Sequence, residues 1–120
     1  MVHALGMVET NCIAKGMEAG DAMLKAADVS LLSAQTACAG KYVVLISGDV
    51  AAVKSSVESG AATAEETLVD SMVIPNIDEQ VLKAVSACSE PQNFESLGII
   101  ETFSLVSAWL CADAAVKAAD

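Results

Sequence analysis

The chain predicts an α+β fold: a split βαβ sandwich of order β-α-β-β-α-β-α, then an incomplete second copy (β-α). Three observations predict it. Short apolar runs of strand length alternate with stretches of helical period. Two strand-like runs, Val29–Thr36 and Lys41–Ser47, are separated by only Ala37-Cys38-Ala39-Gly40, which makes them a hairpin. The third observation is a repeat. Leu5-Gly6-Met7-Val8-Glu9-Thr10 returns as Leu97-Gly98-Ile99-Ile100-Glu101-Thr102, and residues 21–28 return as 113–120. The offset is a constant 92 without gaps, and ten of the twenty-four aligned pairs are identical. A fixed-offset repeat of this kind marks a duplicated domain. Residues 1–88 therefore read as one complete domain, 89–96 as a linker, and 97–120 as the first strand and helix of a second domain. The second copy stops where the first goes on to Val29-Ser30-Leu31-Leu32, so the chain reads as part of a longer tandem protein.

The elements follow in order. Ala4–Glu9 reads as a strand. Ile13, Met17, Gly20, Leu24 and Ala27 then keep helical spacing, with Lys15, Glu18, Asp21 and Lys25 on the other side. Asp21 and Lys25 form an i,i+4 pair in the favourable orientation. In the hairpin, Gly40 is free to take a positive φ. Asp49 suits the N-cap of a helix carrying Val50, Val53 and Val57. Gly60 is a plausible stop, with Ala61–Glu65 a possible extension. Thr67–Ile74 is a fourth strand, closed by Pro75. Asn76 followed by Glu79 resembles a capping box for a short helix with Val81, Leu82 and Val85. Strand and helix recur at Leu97–Glu101 and Leu105–Ala119. The helices are expected on one face of a mostly antiparallel sheet.

Composition narrows the function. Apolar residues make up 54% of the chain but aromatics only 3%, so the core is built from Ala, Val, Leu, Ile and Met. Small side chains bury little area each, and such a chain often completes its burial against other subunits. Net charge is −10, with six Lys and no Arg. Phosphate-backbone binding needs clustered cations, which speaks against nucleic acid. An acidic surface also speaks against anionic membranes. No apolar run approaches the ~20 residues that span a bilayer. The N-terminus shows no basic region followed by an apolar stretch, so a cytoplasmic protein is expected. Cys12, Cys38, Cys88 and Cys111 match no zinc or ferredoxin spacing and read as free thiols.

Three separated blocks carry a resemblance. They are Ala4–Thr10, Met17–Ala27 (Met-Glu-Ala-Gly-Asp-Ala-Met-Leu-Lys-Ala-Ala) and Gly48–Lys54 (Gly-Asp-Val-Ala-Ala-Val-Lys). In order and spacing the chain resembles a bacterial microcompartment shell domain (BMC domain), a ferredoxin-like split βαβ, over residues 3–86 and again over 97–120. With its duplication it is most similar to tandem-domain shell proteins of the propanediol-utilisation type, whose trimers form six-lobed tiles with a [4Fe–4S] cluster at the central pore. The resemblance implies a structural, non-enzymatic protein in the microcompartment shell. Its partners would be copies of itself, as a trimer or hexamer-like tile, and other shell proteins. The pore loop would be Ala37, Cys38, Ala39 and Gly40, with Cys38 the metal and cofactor ligand. The family commonly has Pro after that cysteine, where this chain has Ala39. Lys25 and its repeat partner Lys117 would lie at the edge where tiles meet.

Each of these residues also has a plainer reading. On position alone Cys38 is equally consistent with an ordinary loop thiol, and Lys25 with a solvated helix face. A hairpin tip, however, can meet its copies at a symmetry axis, where three thiolates would bind three irons of a cluster. Gly16 and Gly20 read as close helix packing. Met7, Met17, Met23 and Met72 read as core filler, and Trp109 as a packing residue. His3 has no ligand neighbours in sequence. Glu65-Glu66 and Asp78-Glu79 read as solvated pairs. No Ser-His-Asp set, phosphate loop or dinucleotide fingerprint occurs.

Two other functions compete with the shell tile. One is a trimeric small-molecule-binding regulator of ferredoxin-like fold, which would want basic or Gly-rich loops that this chain lacks. The other is a lone redox carrier, which would want a full ligand set in one chain. Residues 97–120 would leave an apolar face open. The segment is therefore expected to dock on a neighbouring chain, to swap with the first strand and helix, or to be poorly ordered.

Overall fold

The structure is a computed structural model that describes residues 4–85, 93 and 95–119. The readings of His3, Cys88 and most of the linker at 89–96 lie outside the described residues. The elements are β1 (Ala4–Thr10), α1 (Ile13–Ala26), β2 (Ser30–Ala37), β3 (Lys41–Gly48), α2 (Val50–Ala64), a 3-10 turn (Glu65–Thr67), β4 (Leu68–Ile74), α3 (Glu79–Val85) and α4 (Leu105–Ala118).

The strands form one sheet of order β2-β3-β1-β4, antiparallel throughout. β1 is central, with Val8 opposite Val44 on one side and Ser71 on the other. All seven of its residues are buried, as is the run Tyr42–Ser47 in β3. Side chains alternate across a strand, so these two strands divide their side chains between two cores. Ala4, Val8, Tyr42, Val44 and Ile46 pack with Ala19 and Met23 of α1 and Val53 and Val57 of α2. Leu5, Met7, Val43 and Leu45 pack with Val81 of α3 and Val106, Trp109 and Val116 of α4.

The expectation of helices on one face is therefore overturned. Both faces are covered, α1 and α2 on the inner one, α3 and α4 on the outer one. The physical reason is in β3 itself: Tyr42-Val43-Val44-Leu45-Ile46 has no polar residue in alternation, and such a strand must be buried twice.

Small residues set the inner layer. A Cβ on Gly16 would lie 2.6 Å from Thr10 Oγ1 and from Tyr42 Cβ, so α1 sits on the sheet at a distance only glycine allows. A Cβ on Gly60 would lie 2.4 Å from Met23 Cγ, which holds α2 against α1 in the same way.

Local details differ from the sequence reading. Asp49 occupies the N-cap of α2, but its side chain makes no cap hydrogen bond. At α3 the capping acceptor is Asp78, not Asn76: its Oδ1 receives the Gln80 N–H at 2.9 Å. Residues 97–101 form no strand. A strand needs a partner's N–H and C=O groups, and no described residue offers them there. The segment is exposed, with Leu97 at 73% and Ile99 at 84% of full accessibility. The helix that follows it is ordered in place, because α4 lies on the outer face of its own chain's sheet.

Candidate functional site

The hairpin between β2 and β3 carries the first group of candidates. Ala37 pairs with Lys41, which leaves a three-residue loop of Cys38, Ala39 and Gly40. Gly40 has φ +72°, the left-handed residue that closes such a loop. Cys38 is a free, exposed thiol at the tip. It borders a recess of about 440 Å3 lined also by Glu9, Lys41, Glu101 and Phe103.

Behind Cys38 the recess ends on a buried carboxylate. Glu9 is wholly inaccessible. Its Oε1 accepts the Leu105 N–H at 2.9 Å, while Oε2 has no hydrogen-bond partner and faces Lys41 Nζ at 3.8 Å. Lys41 Nζ also reaches the Phe103 carbonyl oxygen at 3.5 Å. A buried charge is costly unless it is paired, and here the first turn of α4 supplies part of the compensation through its free N–H groups and positive dipole end.

A second carboxylate serves the same helix end. The hydroxyls of Ser104 and Ser107 both donate to Asp70 Oδ2, at 2.7 and 3.2 Å. Ser104 is the N-cap, and its Oγ accepts the Ser107 N–H at 3.0 Å. Further along α4, Asp113 is buried and its Oδ1 accepts the Asp78 N–H at 2.8 Å. Lys117 Nζ bonds Asp113 Oδ2 at 2.6 Å and also meets the Asn76 carbonyl oxygen. Helix α4 is thus tied to β1, β4 and the loop before α3 at both of its ends.

The two edge candidates have different surroundings. Lys25 is exposed and pairs with Asp21 at 2.6 Å. Lys117 is drawn onto the seam between α4 and the segment 76–78. The local geometry of the repeat matches even so. Thr10 Oγ1 donates to the Cys12 carbonyl at 2.9 Å, and Thr102 Oγ1 donates to the Ser104 carbonyl at 2.8 Å, the same turn 92 residues on.

Comparison with known proteins agrees with this geometry. The model of the BMC domain matches residues 4–77, which takes in the four strands and both inner helices. The chain belongs to the BMC-domain family. It is similar to the bacterial microcompartment shell protein PduT of Citrobacter freundii, with 46% identity over 120 residues. That match spans all of this chain and 65% of the relative, so the chain covers just under two thirds of that protein's length. The microcompartment shell protein EutM of Salmonella typhimurium is 42% identical over 76 residues, 62% of this chain and 79% of EutM. Among solved structures, a microcompartment protein from Desulfitobacterium hafniense superposes with a TM-score of 0.83 at 50% identity, covering the whole of this chain and 67% of that one. The BMC domain of this chain therefore has relatives that continue beyond its span.

Glu9 and Asp70 were not among the sequence candidates. For Glu9 the available signal was a carboxylate directly after the apolar run Ala4–Val8 on the same strand, kept at the matching position of the repeat as Glu101.

Proposed function

We propose that the chain is a tile of a bacterial microcompartment shell. Its hairpin loops meet their copies around a symmetry axis, where Cys38 helps to hold an iron–sulfur cluster. The observation that carries the reading is the placement of Cys38. It is a free, exposed thiol at the tip of a tight hairpin, on a domain of the shell family. Among the described residues no group of three or more His, Cys, Asp or Glu could hold a metal ion. Cys38 joins no such group among those residues, so a cluster there would take its ligands from several copies. Cys38 fits that demand because its thiol is exposed among the described residues.

When bound, such a cluster supplies one-electron transfer. The chain's own contribution is geometric. The three-residue loop closed by Gly40 fixes where the thiol projects. Lys41, at the base of the loop, sets a cation beside the recess. The flat two-faced sandwich presents its edges, with Lys25 on one of them, to neighbouring tiles. The shell reading of Lys117 belongs to the same proposal, with its ammonium shared between an edge and the seam beneath α4.

Anaerobic purification with measurement of iron per chain and of thiolate-to-iron absorption tests the cluster. Iron and absorption present in the native protein and lost in Cys38→Ser support it. Their absence from the native protein, or their retention in the variant, overturns it. Native mass and electron microscopy test the tile, which requires a flat ring of copies.

A further inference from the structure

The recess beside Cys38 holds a charged pair whose hydrogen bonding is incomplete. Glu9 is fully buried, and among the described residues its Oε2 has no hydrogen-bond partner. Lys41 Nζ stands 3.8 Å away, close enough for an ion pair but too far for a hydrogen bond. That ammonium has three donors, and it reaches the Phe103 carbonyl oxygen only at 3.5 Å. An acceptor and a set of donors therefore stand side by side, each short of a good partner. A buried acceptor left unpaired is costly, and a ligand that donates to it recovers the loss.

The rest of the recess sets the chemistry of that ligand. Cys38 borders it, exposed and three residues before Lys41 in sequence. Glu101 borders it as well, so two carboxylates and one ammonium surround the space. A purely anionic ligand would face both carboxylates, and a purely cationic one would face Lys41. An α-amino acid carries a carboxylate and an ammonium one carbon apart. Its carboxylate suits Lys41, and its ammonium suits Glu9 Oε2. A sulfur on the same small molecule is then within the space that Cys38 borders, about 440 Å3 in all.

We infer that Cys38 is a mixed-disulfide site, capped by cysteine taken from its own disulfide, cystine, with Lys41 and Glu9 holding the two charges of the amino acid. The Cys38 thiolate attacks one sulfur of cystine, and the cystine S–S bond breaks as the new one forms. One half stays on Cys38. The other leaves as a cysteine thiolate and takes up the proton that the Cys38 thiol gave up. Cys38 is oxidised and cystine is reduced, so cystine is the whole oxidant, and an excess of free thiol reverses the step. Cys12 and Cys111 are free thiols too, but they are only partly exposed and do not border the recess. The cap goes beyond the cluster reading and does not need it. Where a cluster is held, cap and cluster exclude each other, because a capped Cys38 has no thiolate to give to iron.

The test uses the full chain with oxygen excluded. It is treated in turn with cystine, with dithiodiglycolate (carboxylates alone), with cystamine (ammoniums alone) and with neutral 2-hydroxyethyl disulfide. Peptide masses give the rate at Cys38 separately from the other cysteines. Each rate is divided by the rate at Cys38 in the urea-unfolded chain, which cancels the intrinsic reactivity of the reagent. The corrected rate for cystine should exceed each of the other three by about tenfold or more. In Lys41→Gln and in Glu9→Gln it should fall to that of the neutral reagent. The native chain decides first, whatever the variants do to folding: corrected rates equal for all four reagents, or dithiodiglycolate or cystamine as fast as cystine, overturn the inference. An advantage for cystine that survives in a folded Lys41→Gln also overturns it. Mass reads the cap with or without iron, so a native protein that holds no iron overturns the cluster reading alone.

Discussion

Glu9 and Leu105 are 96 residues apart in sequence, yet the buried Glu9 carboxylate accepts the Leu105 N–H at 2.9 Å. A side chain of the central strand thereby fixes where the last helix begins. Removing it leaves the first turn of α4 with an unmet N–H in a part-buried site. Glu9→Ala should cost about 1–3 kcal/mol. Hydrogen exchange should quicken at residues 105–108 and stay unchanged in α1. Glu9→Gln keeps an acceptor, so exchange there should remain close to the native rate.

The direction in which α4 faces gives a paired prediction. Val106 is fully buried against the outer sheet face, while Leu110 is 46% exposed on the other side of the same helix. Val106→Ala should lower stability by about 2 kcal/mol, combining lost transfer energy and a small cavity. Leu110→Ala should stay within about 0.5 kcal/mol of the native protein. Denaturant midpoints on the two variants measure the difference, and equal losses would mean that α4 does not lie as described.

Much of this arrangement is written locally. The hairpin follows from Ala37–Gly40. The extent of α1 follows from the helical spacing of Ile13, Met17, Gly20 and Leu24, but the face it packs by does not: α1 buries Gly16, Ala19, Gly20 and Met23 and leaves Ile13, Met17 and Leu24 exposed. The layering was harder to see, because a strand buried on both faces and a strand buried on one differ only in the polarity of alternate residues. Tyr42–Ile46 carried that signal in its unbroken apolar run. The strand expected at Leu97–Glu101 shows the opposite limit. Its residues match those of β1, but pairing is supplied by other strands and no local pattern can provide it. The anchors of α4 were invisible for a related reason. Glu9, Asp70 and Asp113 each meet partners 34 to 96 residues away, distances over which sequence spacing carries no signal. Cys38 was legible as a hairpin-tip thiol because the turn that places it is local, whereas the recess beside it, closed by Glu9, Glu101 and Phe103, was not.

Close approach on the inner face predicts a steric effect. Gly16 has Thr10 Oγ1 and Tyr42 Cβ at 2.6 Å from where a Cβ would stand. Neither is the far end of a flexible chain, so α1 itself would have to lift. Gly16→Ala should cost about 1–3 kcal/mol by overpacking, despite the better helix propensity of Ala. Gly98→Ala meets nothing within 4 Å and should be neutral. Thermal melts of the two variants separate sterics from any general effect of replacing glycine.

A last prediction concerns alkaline pH. Lys15 Nζ lies 3.1 Å from Glu18 Oε2 and 3.6 Å from Glu65 Oε2, joining α1 to the turn after α2. The hydrogen bond to Glu18 is the main reason its pKa is raised above the ordinary lysine value of 10.5, with the charges of Glu18 and Glu65 adding to it. A lysine whose pKa is higher folded than unfolded stabilises the protein fully while both states are protonated. That contribution fades as pH rises through the folded pKa. The gap in melting temperature between the native protein and Lys15→Met should therefore be constant near neutrality and close above pH 10.5. Glu18 and Glu65 are exposed and the lysine is partly so, so salt should shrink the gap as well. A gap that persists unchanged at alkaline pH would mean that the Lys15 stem, and not its charge, makes the contact.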